Sequence, residues 1–247
     1  MRRPAEPNKR EQDGDKHPIL CEVCEQRFGR RESQFNSYIF KAFHENDKAE
    51  FVYGDWFHYF LTSIAWRTLI MDLADPSTVA RIPSRVLSEL REAEATMRRY
   101  LLGEVGLASL IRNHVFFLVQ GDVVSPELAA AGPNFLIRRS VGGYTLWTND
   151  VYSAIIHNLA GVMCVTLIRG NPQDTWDNTK VSPKGGRIKP PQRVRSWIAH
   201  DFFGAIIEFS KTNQRMSNKQ LSVVEAAIAR NPKANSLRFR EADRRLN

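Results

Sequence analysis

The sequence predicts an α+β fold with N-terminal helices, a central antiparallel β-meander and two C-terminal helices. Three observations predict it. Apolar residues recur at helical spacing between residues 25 and 101. Between residues 114 and 168, short segments rich in β-branched and aromatic residues alternate with turn residues. Helix-capping and helix-breaking signals return after residue 195.

The first helix is predicted from Glu25 onward, because four apolar residues follow at steps of seven, four and four with charges between them. These residues are Phe28, Phe35, Ile39 and Phe43. The second helix, Asp55 to Leu73, is apolar nearly all round and is therefore predicted to be buried and central. The third, Ser84 to Leu101, carries one apolar stripe, which is typical of a helix that covers a core. That stripe is Val86, Leu90, Ala93, Met97 and Tyr100.

Five short strands are predicted after Gly103. They are residues 114–120, 134–139, 144–148, 152–159 and 162–168. Reversals of the chain are predicted at Gly142–Gly143 and at Thr148–Asp150, from their turn-forming residues. Because parallel crossovers need a dozen or more residues, the close spacing favours antiparallel pairing.

The last third of the chain begins with a polar stretch, Gly170 to Pro191, that is predicted to be a long exposed loop. A helix is expected from Arg195 or Asp201 to Thr212. A second is expected from Ser217, where "SNKQ" has the form of a capping box, to "RNP". The predicted organisation is a flexible segment 1–18, a CxxC-plus-helix segment 19–50 and an α+β body 51–247 with a basic C-terminal region.

The composition excludes several classes of protein. No apolar run approaches the roughly 18 residues of a membrane span, and the N-terminus lacks the apolar stretch of a secretory signal. Three cysteines, two of them at CxxC spacing, argue against a disulfide scaffold and for a reducing compartment, predicted to be the cytoplasm.

Positive charge is concentrated near the C-terminus. Residues 180–247 carry fifteen Lys or Arg and five acidic residues, an excess of ten, whereas the whole chain has a net charge of +8. Residues 180–195 contain no acidic residue, and a nucleic-acid backbone is the predicted ligand of five of their cations. These are Lys184, Arg187, Lys189, Arg193 and Arg195. Trp176 and Trp197 flank this region as core residues or as stacking partners for bases. The alternative for the charge excess is a solvated surface.

The pair Cys21 and Cys24, in "ILCEVCEQRF", has half the ligands of a tetrahedral zinc site and precedes the first predicted helix. The segment "ILCEVCEQRFGRRE" resembles the end of the HNH endonuclease motif, a treble-clef zinc module. The wider pattern is similar to a group of uncharacterised bacterial proteins. The resemblance implies that Cys21 and Cys24 are the second zinc pair and that Glu25 stands at the position of the metal-binding histidine. A carboxylate is also a ligand that Mg²⁺ accepts.

The first half of that motif is not found in residues 1–20, which contain no cysteine and one histidine, His17. In the family this half provides two further zinc ligands and the general-base histidine. The expectation is therefore a chain that is truncated or begins at a wrong start codon, or an inactive relative. Vestigial reduced thiols are the alternative to a zinc site at Cys21 and Cys24.

The remaining candidates are interpreted as structural. His58 and Arg67 fall on the apolar second helix, His157 in a predicted strand and Cys164 in "VMCVTLI", where a buried thiol is expected. The function predicted from the resemblance and the charge is nucleic-acid interaction of an HNH-like kind, with defence against foreign DNA as its setting. The alternative is a non-catalytic module that binds a protein partner.

Overall fold

The computed structural model describes residues 19–45, 48, 50–106, 111–118, 141–148, 150–212, 222, 223 and 226. Its helices are α1 (Glu22–Phe35), α2 (Lys41–Glu45), α3 (Asp55–Ala74), α4 (Pro76–Val79), α5 (Ser84–Leu102) and α6 (Trp197–Thr212). Its strands are β1 (Phe51–Tyr53), β2 (Arg112–Phe117), β3 (Val141–Trp147), β4 (Ser153–Leu159), β5 (Val162–Arg169), β6 (Thr175–Asp177), β7 (Gly186–Ile188) and β8 (Arg193–Arg195). Mixed helices and antiparallel strands confirm the α+β class.

The N-terminal helix follows the predicted apolar stripe, and all four stripe residues are buried. It begins at Glu22 rather than Glu25, because Cys21 has extended backbone angles and its carbonyl accepts the first intrahelical hydrogen bond, from the Glu25 amide at 2.9 Å. One π-helical turn, Asn36–Phe40, joins α1 to α2. The extra residue in this turn adjusts the rotation of the helix between its two halves.

Helices α3 and α5 also form as predicted. Helix α3 is central: it buries residues on every side, including the polar His58, Thr62 and Ser63. Helix α5 buries its predicted stripe except Tyr100, which is half-buried. It ends at Gly103, whose φ of 81° is the left-handed conformation that allows the Gly103 amide to reach the last carbonyls of the helix.

The four-stranded antiparallel sheet has the order β2-β5-β4-β3. Strands β3, β4 and β5 are a meander, but β2 pairs with β5, so the sheet as a whole is not the simple meander that was predicted. The predicted reversal at Gly142–Gly143 is wrong, since both glycines lie inside β3 opposite Asn158 and His157. The reversal after Thr148 is confirmed by the Thr148 amide, which donates to the Tyr152 carbonyl at 2.9 Å. The predicted strand 134–139 lies outside the described residues.

The two faces of this sheet carry different layers. Alternate residues of β2 and β5, among them Val115, Phe117 and Cys164, pack with residues of α1, α2 and α3. Their neighbours along the same strands, such as Phe116 and Val165, pack on the opposite face against Ile198 and Phe202 of α6. The segment 19–50 therefore shares a core with the sheet.

The stretch from Gly170 to Pro191 is not the exposed loop that was predicted. It contains β6, β7 and a segment that covers the edge of β2. The Val115 amide donates to the Thr179 carbonyl, and the Val181 amide donates to the Asn113 carbonyl, both at 2.8 Å. A polar sequence without periodicity can still be ordered when its backbone groups complete a sheet edge.

The first C-terminal helix is confirmed as α6. For the second, residues 222, 223 and 226 are helical, and its other residues lie outside the described ones. Among the described helices, none is long and apolar enough to cross a membrane.

Candidate functional site

The CxxC pair lies at the beginning of α1. Cys21 is the N-cap residue and is exposed, and Cys24 lies in the first turn and is half-buried. Both thiols are free. The backbone of Cys21 is extended (φ −80°, ψ 161°), and its carbonyl is fixed by the Glu25 amide. This arrangement places one exposed sulfur at the positive end of a helix, with a second sulfur one turn along.

The two thiols differ electrostatically. The Cys21 side chain does not form a capping hydrogen bond to the backbone of α1. Nevertheless, the Cys24 amide and then the Cys24 thiol interact with it and lower the pKa of Cys21. The contact between the two thiols, together with burial, raises the pKa of Cys24. The Arg27 guanidinium lowers this pKa and so offsets part of the increase. Cys21 is therefore the thiol that ionises first.

The described residues do not fit the predicted metal site. Among them, no group of three or more His, Cys, Asp or Glu side chains is placed to hold a metal ion. Glu25 is exposed and directly follows Cys24 in the helix, and consecutive helical side chains do not face each other. Cys21, Cys24 and Glu25 thus provide two sulfurs and a separate carboxylate, which is not a zinc or Mg²⁺ ligand set. His17 lies outside the described residues.

The five predicted phosphate-binding cations are all exposed, but they lie on two different ribbons. Lys184 lies in the turn before β7, and Arg187 lies in β7 itself. Strand β7 pairs with β1, and its Ile188 packs on the helical face of the sheet. Arg187 forms an ion pair with Glu50. Lys189 follows β7. These three residues therefore do not share a ribbon with Arg193 and Arg195.

Arg193 and Arg195 lie on β8, on the opposite face of the sheet. Strand β8 pairs with β6, and its middle residue, Val194, packs inward against the cluster that contains α6. Because side chains alternate along a strand, Arg193 and Arg195 both point outward. No acidic side chain of the described residues lies within 4 Å of either guanidinium.

An exposed aromatic side chain continues this surface. Trp197 is the first residue of α6 and is 57% exposed. Its ring contacts His200 edge to face, with ring centroids 5.6 Å apart. Ser196 fixes the start of α6, since its hydroxyl accepts from the Ile198 amide at 3.2 Å and donates to Asp174 at 2.7 Å. We call Arg193, Arg195, Trp197 and His200 the basic–aromatic surface.

An open depression of about 350 Å³ borders this surface. Its lining residues are Asp177, Asn178, Pro191 and Arg193. Asp177 is the partner of Arg193 in the β6–β8 register and offsets part of its positive charge. On the side of Trp197, Asp174 accepts from Ser196 and Asp201 pairs with His200, so carboxylates border the surface at both ends.

The other flanking tryptophan is structural. Trp176 is half-buried and packs against the His114 ring in a tilted arrangement, with ring centroids 4.7 Å apart. Thr179 donates to the Trp176 carbonyl at 2.9 Å, so its oxygen accepts from His114 Nδ1, also at 2.9 Å. Burial, with help from Arg112 and Lys180, lowers the pKa of His114 to about 4. His114 is thus a neutral residue that connects β2 to β6.

Of the remaining candidates, His58, His157 and Cys164 are buried and Arg67 is half-buried. His58 is hydrogen-bonded between α3, α5 and β2, and burial lowers its pKa to about 4. Thr68 Oγ1 lies 2.8 Å from His157 Nε2. Arg67 pairs with Glu32 at 2.6 Å and connects α3 to α1. Cys164 is buried in an apolar environment, which raises the pKa of its thiol.

The five cations and Trp197, singled out from the sequence, are exposed in the structure, whereas His200 and the difference between the two thiols were not predicted. His200 lies three residues after Trp197 in "WIAH", which is helical spacing, so its proximity could have been predicted. Comparison with protein-family models, with curated proteins and with solved structures finds no match to this chain.

Proposed function

We propose that this protein binds nucleic acid through the basic–aromatic surface. The observation that carries the proposal is the position of Arg193 and Arg195. Both point outward from one short strand, without a carboxylate of the described residues within 4 Å, and Arg195 is two residues before the exposed Trp197.

Two outward residues of one strand are separated by two residues, or about 7 Å. Two guanidinium groups at this spacing can each contact a phosphate oxygen of a single nucleic-acid strand, and such contacts supply affinity without reading sequence. An exposed tryptophan beside them provides a ring on which a base can stack, which favours a single strand over a duplex.

The resemblance of residues 19–32 to the HNH motif supports nucleic acid as the ligand class, and defence against foreign DNA as its setting. Hydrolysis of a phosphodiester by such a motif would require a positioned base and a metal ion. The described residues provide neither a metal-ligand group nor a histidine beside the CxxC pair. The proposal is therefore limited to binding.

The test is a fluorescence-anisotropy titration of a labelled single-stranded oligonucleotide over a series of salt concentrations. Replacement of both arginines, Arg193→Ala with Arg195→Ala, is expected to reduce the slope of log K against log salt by about 1.4, because two phosphate contacts are lost. Trp197→Ala is expected to weaken binding by about 1–3 kcal/mol and to leave the slope unchanged.

The matched control replaces two exposed arginines of α5, Arg91→Ala with Arg99→Ala, which make the same change in net charge on the other face of the sheet. This control should retain the wild-type slope. If both double variants showed the same reduction in the salt slope, net charge alone would be responsible. That result would overturn the assigned surface. Absence of binding to the wild-type protein at about 50 mM salt would favour the alternative, a module that binds a protein partner.

A further inference from the structure

The CxxC pair has no further metal ligand beside it among the described residues. A structural zinc site needs four ligands that converge on one point, and only two converge here among the described residues. The two sulfurs instead occupy the N-cap position and the third position of α1, with Cys21 in an extended conformation. Side chains three residues apart at a helix end are neighbours, and the two thiols interact with each other.

We propose that Cys21 and Cys24 are a redox-active dithiol that exchanges with low-molecular-weight disulfides, with Cys21 as the attacking sulfur and Cys24 as the resolving sulfur. Exposure supports these roles. Cys21 is open to solvent, whereas Cys24 is half-buried behind it. An incoming disulfide therefore reaches Cys21 first.

Electrostatics support the same roles. The amides at the start of α1, chiefly that of Cys24, and the Cys24 thiol favour the thiolate of Cys21 and lower its pKa. Cys24 keeps its proton longer, because that shared contact and burial raise its pKa. Both negative and positive side chains lie near the two thiols. The carboxylates of Glu22 and Glu25 lie in the same first turn, and Arg27 lies one turn further along.

The exchange proceeds in two balanced steps. The Cys21 thiolate attacks one sulfur of the small disulfide, the original sulfur–sulfur bond breaks, and one small thiolate leaves and takes a proton from water. Cys24 then loses its proton and attacks Cys21, which releases the second small thiol. The protein dithiol is oxidised by two electrons to the Cys21–Cys24 disulfide, and the small disulfide is reduced to two thiols.

The third cysteine provides an internal control. Cys164 lies in β5, is buried and has a raised pKa, so a small disulfide can neither reach it nor find a thiolate there. Only the N-terminal pair should respond in the folded protein. Trypsin would release both cysteines of the pair in one peptide, residues 17–27, which separates them from Cys164 in a mass spectrum.

The experiment incubates the full chain with glutathione disulfide in excess, quenches with acid, alkylates the remaining thiols under denaturing conditions and analyses the peptides. In the wild-type protein, residues 17–27 should be recovered with an internal disulfide. In Cys24→Ser the reaction should stop with one glutathione attached to Cys21. In Cys21→Ser, glutathione should attach to Cys24 at least ~3-fold more slowly.

Three results would overturn the proposal. The wild-type peptide could be recovered with both thiols alkylated, or the two single variants could react at equal rates. Alternatively, the isolated protein could contain one zinc ion per chain that protects both thiols from glutathione disulfide. Cys21 is exposed and Cys24 is half-buried. An unchanged far-UV circular dichroism spectrum would show that both variants are folded.

Discussion

The side-chain amide of Asn113 lies 3.2 Å from His58 Nε2 and 3.0 Å from Thr62 Oγ1, so that β2 is joined to α3 through a buried polar group. Because the amide nitrogen can only donate, Nε2 is the acceptor and the ring proton is on Nδ1, directed at the Tyr100 hydroxyl 3.3 Å away. Thr166 completes the arrangement by donating to the Asn113 carbonyl oxygen at 2.7 Å.

Replacement of this amide should destabilise the fold. In Asn113→Ala, the buried His58 and Thr166 lose their partners, and the free energy of unfolding should fall by about 2–4 kcal/mol. The measurement is urea denaturation followed by circular dichroism. Asn36→Ala is the control, since Asn36 is exposed in the π-helical turn and should change the free energy by less than about 0.5 kcal/mol. Equal effects of the two substitutions would contradict the assigned network.

Stability should decrease below neutral pH. Burial is the largest cause that lowers the pKa of His58, His114 and His157 from 6.5 to about 4. The unfolded chain therefore binds protons between these values while the folded protein does not. The stability that the neutral rings provide is complete above about pH 6.5 and is lost as the pH falls towards 4. Each histidine should lower the free energy of unfolding by about 2 kcal/mol between pH 7 and pH 5.

This pH dependence can be assigned to a particular ring. His58→Gln should remove about one proton from the number taken up on unfolding near pH 5, measured from the slope of the free energy of unfolding against pH. His200→Gln is the control, because His200 is exposed at the start of α6. A slope that is unchanged in His58→Gln and reduced in His200→Gln would reverse the assignment.

Two glycines should respond in opposite directions to the same substitution. A Cβ added at Gly143 would lie 2.5 Å from the His157 ring and 2.8 Å from Thr68 Oγ1, so Gly143→Ala should destabilise by about 2–4 kcal/mol. Gly29 lies inside α1, and apart from the backbone of its own helix no atom lies within 4 Å of an added Cβ, so Gly29→Ala should stabilise by up to about 1 kcal/mol. Thermal unfolding of both variants measures the difference, and loss of stability in both would contradict it.

The edge of β2 should depend on one glutamine. Gln192 donates to the Val115 carbonyl at 2.8 Å and accepts from the Phe117 amide at 3.0 Å. In Gln192→Leu, hydrogen exchange at the Phe117 amide should accelerate, and stability should fall by about 1–3 kcal/mol. The Val115 amide is the internal control, because it donates to the Thr179 carbonyl and should remain protected. Equal acceleration at both amides would indicate general destabilisation instead.

The helices and most of the described sheet strands could be predicted from the sequence, because each depends on a local period. The stripes of α1 and α5 and the β-branched runs of β4 and β5 specify which side is buried whatever the partner is. Trp197 and the five cations could also be selected from the sequence, because their residue types alone suggest contact with a nucleic acid. Neither the order of the strands nor the interior position of Gly143 is local, since both depend on which chain segment lies alongside.

What only the tertiary structure decided is the path of residues 170–195. This polar segment is ordered because it supplies hydrogen-bond partners to the β2 edge, and its crossing of that edge places Arg187 and Arg193 on ribbons packed against opposite faces of the sheet. The sequence alone determined that five cations and a CxxC pair exist. The separation of the cations follows from packing between residues distant in sequence, which no local pattern encodes.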